Sequence, residues 1–415
     1  MKRLFLSLSF LCFLQFLFGQ PAMTEEQLRN WRTARPVSQF SSQEWPGQLI
    51  KSPRTEKIDN ALPMRGLAIQ APRPAGVDQF CQFIEEELAP AHFNILILRI
   101  DWNYAYESDP DLRDPVCLSK ADVKKMVAVC QKHDIQLVPQ INLLGHQSWA
   151  GTTYALLRKY PHFDEAPHIN TDNYNDYTGA TNNPLPYSDG LYCKSYCPLH
   201  PEVHGVVFPL VDELMDVFEA EWFHAGLDEV FHIGDERCPR CGGKDKAELF
   251  AGEVNKIRDH LAEKNRRLMI WGDRLIDGSI TGLGTFNSSY NNTHRAIDMI
   301  NKDVFICEWR YSQTGLSAVY LVYKGFDVAL CPYRNVPVAL QHVKDMVDWR
   351  QRPINRLTTN RFQGVIHTVW SGAEGFMRLY YNPETYNTPL FDPSEQGGDA
   401  RALKVLIDEF KKLNL

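Results

Sequence analysis

The sequence predicts an α/β fold, a closed (β/α)8 TIM barrel forming a single domain. Three observations predict it. Short apolar runs recur eight times, each is followed by a segment of helical periodicity, and the long polar connections fall after strands, not before them. The runs are almost continuously apolar, as parallel strands covered on both faces must be. An open doubly wound sheet has no reason to stop at eight strands, and no G-x-G-x-x-G follows the first run.

The strand candidates are 66–70, 94–100, 136–141, 222–225, 268–271, 304–307, 327–330 and 364–369. After the first, Val77, Phe80, Ile84 and Leu88 share one helical face. After the second, Ser119 and Asp122 form a capping pair ahead of Val123, Met126, Val127 and Cys130. Further helices are expected at 203–218, 247–261, 294–300, 316–323, 336–349 and 400–413. The longest connections run from Asn142 to His200 and from Gly226 to Lys246. In such a barrel the loops after strands build the working face, and long ordered loops are usually functional.

With 415 residues, 44% hydrophobic and 23% charged, the chain can bury a large core. A net charge of −7 without a basic run argues against a nucleic-acid partner, whose phosphates need concentrated positive charge. Lys2 and Arg3 precede an apolar run from Leu4 to Phe18 and then Gly19-Gln20-Pro21, the pattern of a signal peptide over 1–19. An extended polar leader over 20–62 and the barrel over 63–415 complete the expected organisation. The mature chain is therefore expected to be exported, periplasmic or secreted, with no membrane span; its oligomeric state stays open. Of ten cysteines, Cys12 would leave with the signal, and the nine that remain are an odd number. Cys193 and Cys197, with Cys238 and Cys241 of a C-P-R-C string, could hold a zinc ion, but export favours disulfides or free thiols.

The fourth strand leads through Gly226 into Leu227-Asp228-Glu229-Val230. Carboxylates at the C-terminal end of a barrel strand stand where such folds place reactive groups. Adjacent residues leaving a strand point in different directions, so the two acids can do different jobs.

The string His224-Ala225-Gly226-Leu227-Asp228-Glu229 resembles the H-x-G-x-D-E motif of glycoside hydrolase family 20, the β-N-acetylhexosaminidases. Other segments follow in order. Arg65-Gly66 resembles the family's sugar-binding arginine, and Gly145-His146 its Gly-His pair. Trp271, Trp309 and Trp370 end strands five, six and eight, where the family lines its pocket with tryptophan, and Tyr333 follows strand seven, where it has an acetamide-binding tyrosine. Asp101 follows strand two, and Glu374 follows Trp370 in a position that could bind sugar hydroxyls. The resemblance implies an exo-acting hydrolase of terminal β-linked N-acetylhexosamine, acting on oligosaccharides or glycoconjugates without a cofactor. In that chemistry the substrate's acetamide oxygen is the nucleophile. Asp228 would orient the acetamide, Glu229 would serve as acid and then base, and His146 would tune them.

The sequence departs from the family at Leu227, usually a small residue, at Gln140, usually glutamate, and at strand eight, where Glu374 is shifted by two positions. The separate α/β domain that often precedes the barrel is missing from the pattern, which places the chain nearer compact members such as hexosaminidase D. These departures motivate an alternative, a barrel that binds glycans without turning them over or that prefers another sugar. A metal-dependent hydrolase using His224, Asp228 and His232 finds no supporting second histidine cluster.

Overall fold

Eight parallel strands close on themselves in sequence order in the computed structural model, as the apolar runs predict. They are β1 (Met64–Gln70), β2 (Ile95–Arg99), β3 (Gln136–Leu143), β4 (Trp222–Gly226), β5 (Arg267–Trp271), β6 (Phe305–Trp309), β7 (Val328–Cys331) and β8 (Phe362–Gly372). Every neighbouring pair is parallel, including β8 with β1. The structure describes residues 56–149, 151–169, 193–352, 355–382 and 398–413, all within one compact unit over 40–415. The expected signal peptide and most of the expected leader lie outside the described residues. The last residues of that leader are not extended: Glu56–Ala61 is a helix, and Ile58 and Leu62 are fully buried.

Strand alternation divides the core into two layers. Met64, Ala68, Ile95, Ile97, Val138, Met269, Phe305, Ala329 and Ile366 fill the inside of the barrel. Their neighbours Leu67, Ile69, Leu96, Leu98, Leu137, Leu268, Ile306 and Val365 face the helices outside. Burial on both faces is why the strands read as unbroken apolar runs. Gly66 belongs to the inner layer, where a Cβ would stand 2.6 Å from Ile95 Cγ2 and 2.9 Å from Ile366 Cγ1. The barrel is too tight there for any side chain.

The surrounding helices include α1 (Val77–Phe83), α2 (Lys120–Lys132), α3 (Val203–Val217), α4 (Lys246–Ala262), α5 (Ser317–Tyr323), α6 (Val336–Gln351), α7 (Ala373–Tyr381) and α8 (Gly398–Leu413). Three of them start at polar caps. Ser119 and Asp122 form the expected reciprocal capping box on α2, Asp245 caps α4 and Asn335 caps α6. Between β5 and β6 the expected helix at 294–300 is instead a 3-10 helix, Thr293–Asp298, after three shorter helical turns. No described helix is long and apolar enough to cross a membrane.

Candidate active site

The C-terminal ends of the strands are where the backbone departs from ordinary geometry. Positive φ angles occur at Asp101 after β2, Leu144 and His146 after β3, and Gly226, Leu227 and Glu229 at the end of β4. A non-glycine residue in this region costs about 1–2 kcal/mol, so the cluster marks a rim whose conformation is imposed by its surroundings. Gly226 meets two demands at once. Its φ is 69°, and a Cβ would fall 2.4 Å from Asn142 Oδ1 on the neighbouring strand. The Gly226 amide donates to His224 Nδ1 at 3.0 Å, while the His224 ring packs against Trp271 at 4.5 Å between centroids. Histidine and glycine of the strand-four motif thus fold the chain sharply, and Asp228 and Glu229 are delivered together to the rim.

Both acids are nearly buried and meet one imidazole. His146 Nε2 lies 3.1 Å from Asp228 Oδ2 and 3.2 Å from Glu229 Oε2. Burial by itself would push the Asp228 carboxyl up; the charge of His146 and its hydrogen bond overcome this and hold it below the usual aspartate value. Burial likewise opposes charge on His146, but the Asp228 carboxylate and its hydrogen bond carry the His146 pKa well above the ordinary histidine value. The pair is therefore an imidazolium and a carboxylate. Asp228 Oδ1 is buried and receives no hydrogen bond from another residue. Gly145 lets the β3 loop come close, since a Cβ there would stand 3.0 Å from the Asp228 carbonyl.

Asp273, Asn142, Gln140 and Cys193 complete the arrangement, and of these Asp273 and Asn142 carry no role in the sequence analysis. Asp273 Oδ2 accepts the Glu229 amide at 2.9 Å and the Arg274 Nε at 2.7 Å, and its Oδ1 accepts from Trp309 Nε1 at 3.3 Å. A Trp-Gly-Asp-Arg string at a strand end was the signal for it, because two opposite charges at the close of an apolar strand must be paired if buried. Asn142 carries its amide to Asp101 Oδ1 at 2.9 Å. Gln140, where the family has glutamate, donates to Asn142 Oδ1 at 3.1 Å and so supports the same link. Cys193 places its sulfur 3.2 Å from His146 Nδ1, and its thiol is pushed up to about 12, chiefly by burial. It is therefore neutral when His146 is charged.

The aromatic wall lies where the tryptophans were expected. Trp271 and Trp370 have ring centroids 5.7 Å apart, and Trp309 stacks obliquely on Tyr311 at 4.9 Å. Tyr311, which the sequence reading passed over, receives the Trp370 Nε1–H at 2.8 Å and packs on Tyr333 at 5.3 Å. Tyr333 packs on Tyr311, which lies within electrostatic reach of Asp228. Beyond it, a groove of about 560 Å³ is lined by Tyr311, Tyr333, Arg334 and Arg401, among others. On the opposite side, Trp149 lies parallel to the His146 ring at 6.3 Å and is half exposed.

One expected sugar-binding residue, Arg65, stands elsewhere. Arg65 is at the N-terminal end of β1, in the outer layer with Leu67 and Ile69, and is 1% exposed. Its guanidinium binds Asp59 at 2.8 Å and the carbonyls of His92, Leu62 and Pro63. It clamps the closed end of the barrel and offers nothing to a ligand on the open end. Arg99, at the open end of β2, lies over Trp370 at 5.2 Å and 3.7 Å from Asp101. Glu374 is on the rim at the start of α7, with Oε1 taken by the Arg73 amide at 2.6 Å. The suggested zinc set also breaks apart. Cys193 is with His146, whereas Cys197 is 3.4 Å from Cys241 and 3.7 Å from Cys238. None of the nine cysteines from Cys81 to Cys331 is joined in a disulfide.

Comparison with known proteins agrees with this geometry. The profile of the glycosyl hydrolase family 20 catalytic domain matches residues 103–370. A beta-hexosaminidase of Akkermansia muciniphila is 28% identical over 160 residues, 37% of this chain and 29% of that protein. A lacto-N-biosidase of Bifidobacterium bifidum is 26% identical over 204 residues, 46% of this chain and 14% of that protein. This chain thus spans less than a third of either relative. Among solved structures, the Flavobacterium johnsoniae chitobiase superposes with a TM-score of 0.52 at 17% identity, covering 85% of this chain and 52% of that one. The beta-N-acetylhexosaminidase of Bacteroides fragilis NCTC 9343 gives 0.52 at 16% identity, covering 84% and 72%. At such identities the likeness is one of fold.

Proposed function

The chain belongs to glycosyl hydrolase family 20, and from that premise we propose that it removes terminal β-linked N-acetylhexosamine from oligosaccharides or glycoconjugates, with the substrate's acetamide as nucleophile. One observation carries the reading. Asp228 is held ionised by His146 through Oδ2, while its buried Oδ1 takes no hydrogen bond from another residue. A buried carboxylate oxygen without a partner is costly, and the N–H of a 2-acetamido group is the donor that fits.

The residues then divide the work. Asp228 accepts the acetamide N–H, turns the acetamide oxygen toward the anomeric carbon, and stabilises the positive charge that grows on nitrogen as the C1–O bond forms. Glu229, fixed by the hydrogen bond that its backbone amide donates to Asp273, gives its proton to the departing glycosidic oxygen. The bond from that oxygen to C1 breaks and a cyclic oxazolinium remains. Glu229 then takes a proton from water, which attacks C1 and reopens the ring with net retention. Trp271 and Trp370 form the apolar wall of the pocket. Arg99 and Asp101, not Arg65, supply charge for sugar hydroxyls at the rim. With the export expected from the first residues, the substrate would lie outside the cytoplasm.

The test compares p-nitrophenyl N-acetyl-β-D-glucosaminide with the glucoside that lacks the acetamide. Hydrolysis of the first alone is expected. Glu229→Gln should lower turnover by about a hundredfold or more, and a dinitrophenyl leaving group that needs no proton should restore much of the first step. Binding of N-acetylhexosamine glycosides without any hydrolysis, or equal turnover of both substrates, would overturn the reading.

A further inference from the structure

We propose that Glu165, Cys197, Cys238 and Cys241 bind one structural zinc ion that joins the loops after β3 and β4. The sequence suggested Cys193 as the fourth ligand; the fold supplies Glu165 instead. One ligand atom from each of the four residues lies within 4.8 Å of all the others, and all four residues are buried. The sulfur separations of 3.4 and 3.7 Å are far longer than the roughly 2.05 Å of a disulfide. They match the edge of a tetrahedron whose Zn–S bonds are about 2.3 Å, which is close to 3.8 Å.

The backbone is shaped to hold the set. Cys238 and Cys241 have the C-x-x-C spacing of zinc-binding turns. Their turn closes through the Gly242 amide, which donates to the Cys238 carbonyl at 2.9 Å. A Cβ at Gly242 would meet the Glu236 and Cys238 carbonyl oxygens at 2.8 and 2.9 Å, and Gly243 follows with φ of 73°. Glu165 is oriented by the Asp235 amide, which donates to its Oε1 at 3.0 Å. Its Oε2 is buried without any N–H or O–H donor. A carboxylate buried among thiols, with the Cys238 thiol as its side-chain partner, is weakly satisfied there, and a cation held by all four groups completes it.

The chemistry selects the ion and its role. Three sulfur ligands favour a borderline-soft metal such as zinc over magnesium or calcium, which prefer all-oxygen shells. Binding releases the three thiol protons to solvent. Four protein ligands leave no open position for water, so the site is structural and takes no part in hydrolysis. It stands apart from Cys193, His146 and the two catalytic acids. Its effect on them is mechanical, because Glu165 and Cys197 lie in the connection after β3 and the two remaining cysteines in the connection after β4.

The intact protein purified without chelators should contain about one zinc per chain by elemental mass spectrometry, and a mercurial thiol reagent should release it to a colorimetric chelator. Cobalt substitution should give the visible bands of a tetrahedral thiolate site. Cys193→Ser should keep the metal, whereas Cys241→Ser should lose it and Glu165→Gln should release it faster to a chelator. A chain that carries no zinc and takes up none, a Cys197–Cys241 disulfide in a non-reducing peptide map, or metal loss in Cys193→Ser would each overturn the proposal. The wild-type metal content decides even if a cysteine variant does not fold.

Discussion

His146 places one nitrogen between two carboxylates, and that makes a single imidazole responsible for the charge state of the site. Asp228 is held low chiefly because His146 opposes the upward push of burial. In His146→Asn that opposition is gone, and burial carries Asp228 upward. The acid limb of kcat/KM should then move to higher pH, with a loss of about tenfold for each pH unit the assay lies below the new pKa. An acid limb that stays in place would show that His146 does not set the ionisation of Asp228. Arg65 gives the contrasting case. It neutralises Asp59 and fills three carbonyls at the closed end of the barrel. Arg65→Ala should cost about 3 kcal/mol of stability in urea unfolding and leave KM unchanged. Arg99→Ala should do the reverse, raising KM with little change in unfolding midpoint.

The ends of strands decide where these side chains go, and β4 shows how. Gly226 has both a positive φ and Asn142 against its α-carbon. Gly226→Ala should therefore cost about 1–2 kcal/mol from backbone conformation alone, with a further loss from the collision. Because Asp228 and Glu229 follow directly, turnover should fall more than stability does, which paired melts and rate measurements on the same preparation would reveal. All eight strands were legible in the sequence because burial on two faces leaves an unbroken apolar signature. Asp228, Glu229 and His146 were legible because a motif and a strand end coincide. Arg65 was misplaced for a reason that alternation could have supplied: it shares parity with Leu67 and Ile69, which face the helices, and lies five residues before the end of β1. Asp273, Tyr311 and Glu165 escaped because their roles depend on partners far along the chain. The helix expected at 294–300 follows the apolar spacing, but a stretch so short between two barrel strands closes as a 3-10 helix.

At the scale of the whole molecule, the closed barrel forces a dry rim on which charges must be paired, and this links the site to stability. The groups that bear on His146 include Asp228 and Cys193 in direct contact, Glu229 within ion-pair distance, and Asp101 and Tyr154 within electrostatic reach. A folded-state pKa above the unfolded value means that His146 contributes its full stabilisation below the ordinary histidine value of 6.5 and loses it as pH rises through the folded one. A folded-state pKa below the unfolded value means that Asp228 contributes fully above 3.8 and loses it as pH falls through the folded one. The contribution of the pair is therefore complete between 3.8 and 6.5 and declines on both sides. Chemical unfolding of the wild type and of the double variant His146→Asn/Asp228→Asn, measured from acid to alkaline pH, isolates it as a difference. That difference should form a plateau across the window, shrink toward alkaline pH as His146 loses its proton, and shrink in acid as Asp228 gains one. A difference that rises steadily through neutral pH would mean that the imidazole is neutral in the folded protein. Asp228 would then lack the cation that keeps it ionised, and the division of roles between the two acids would fail with it.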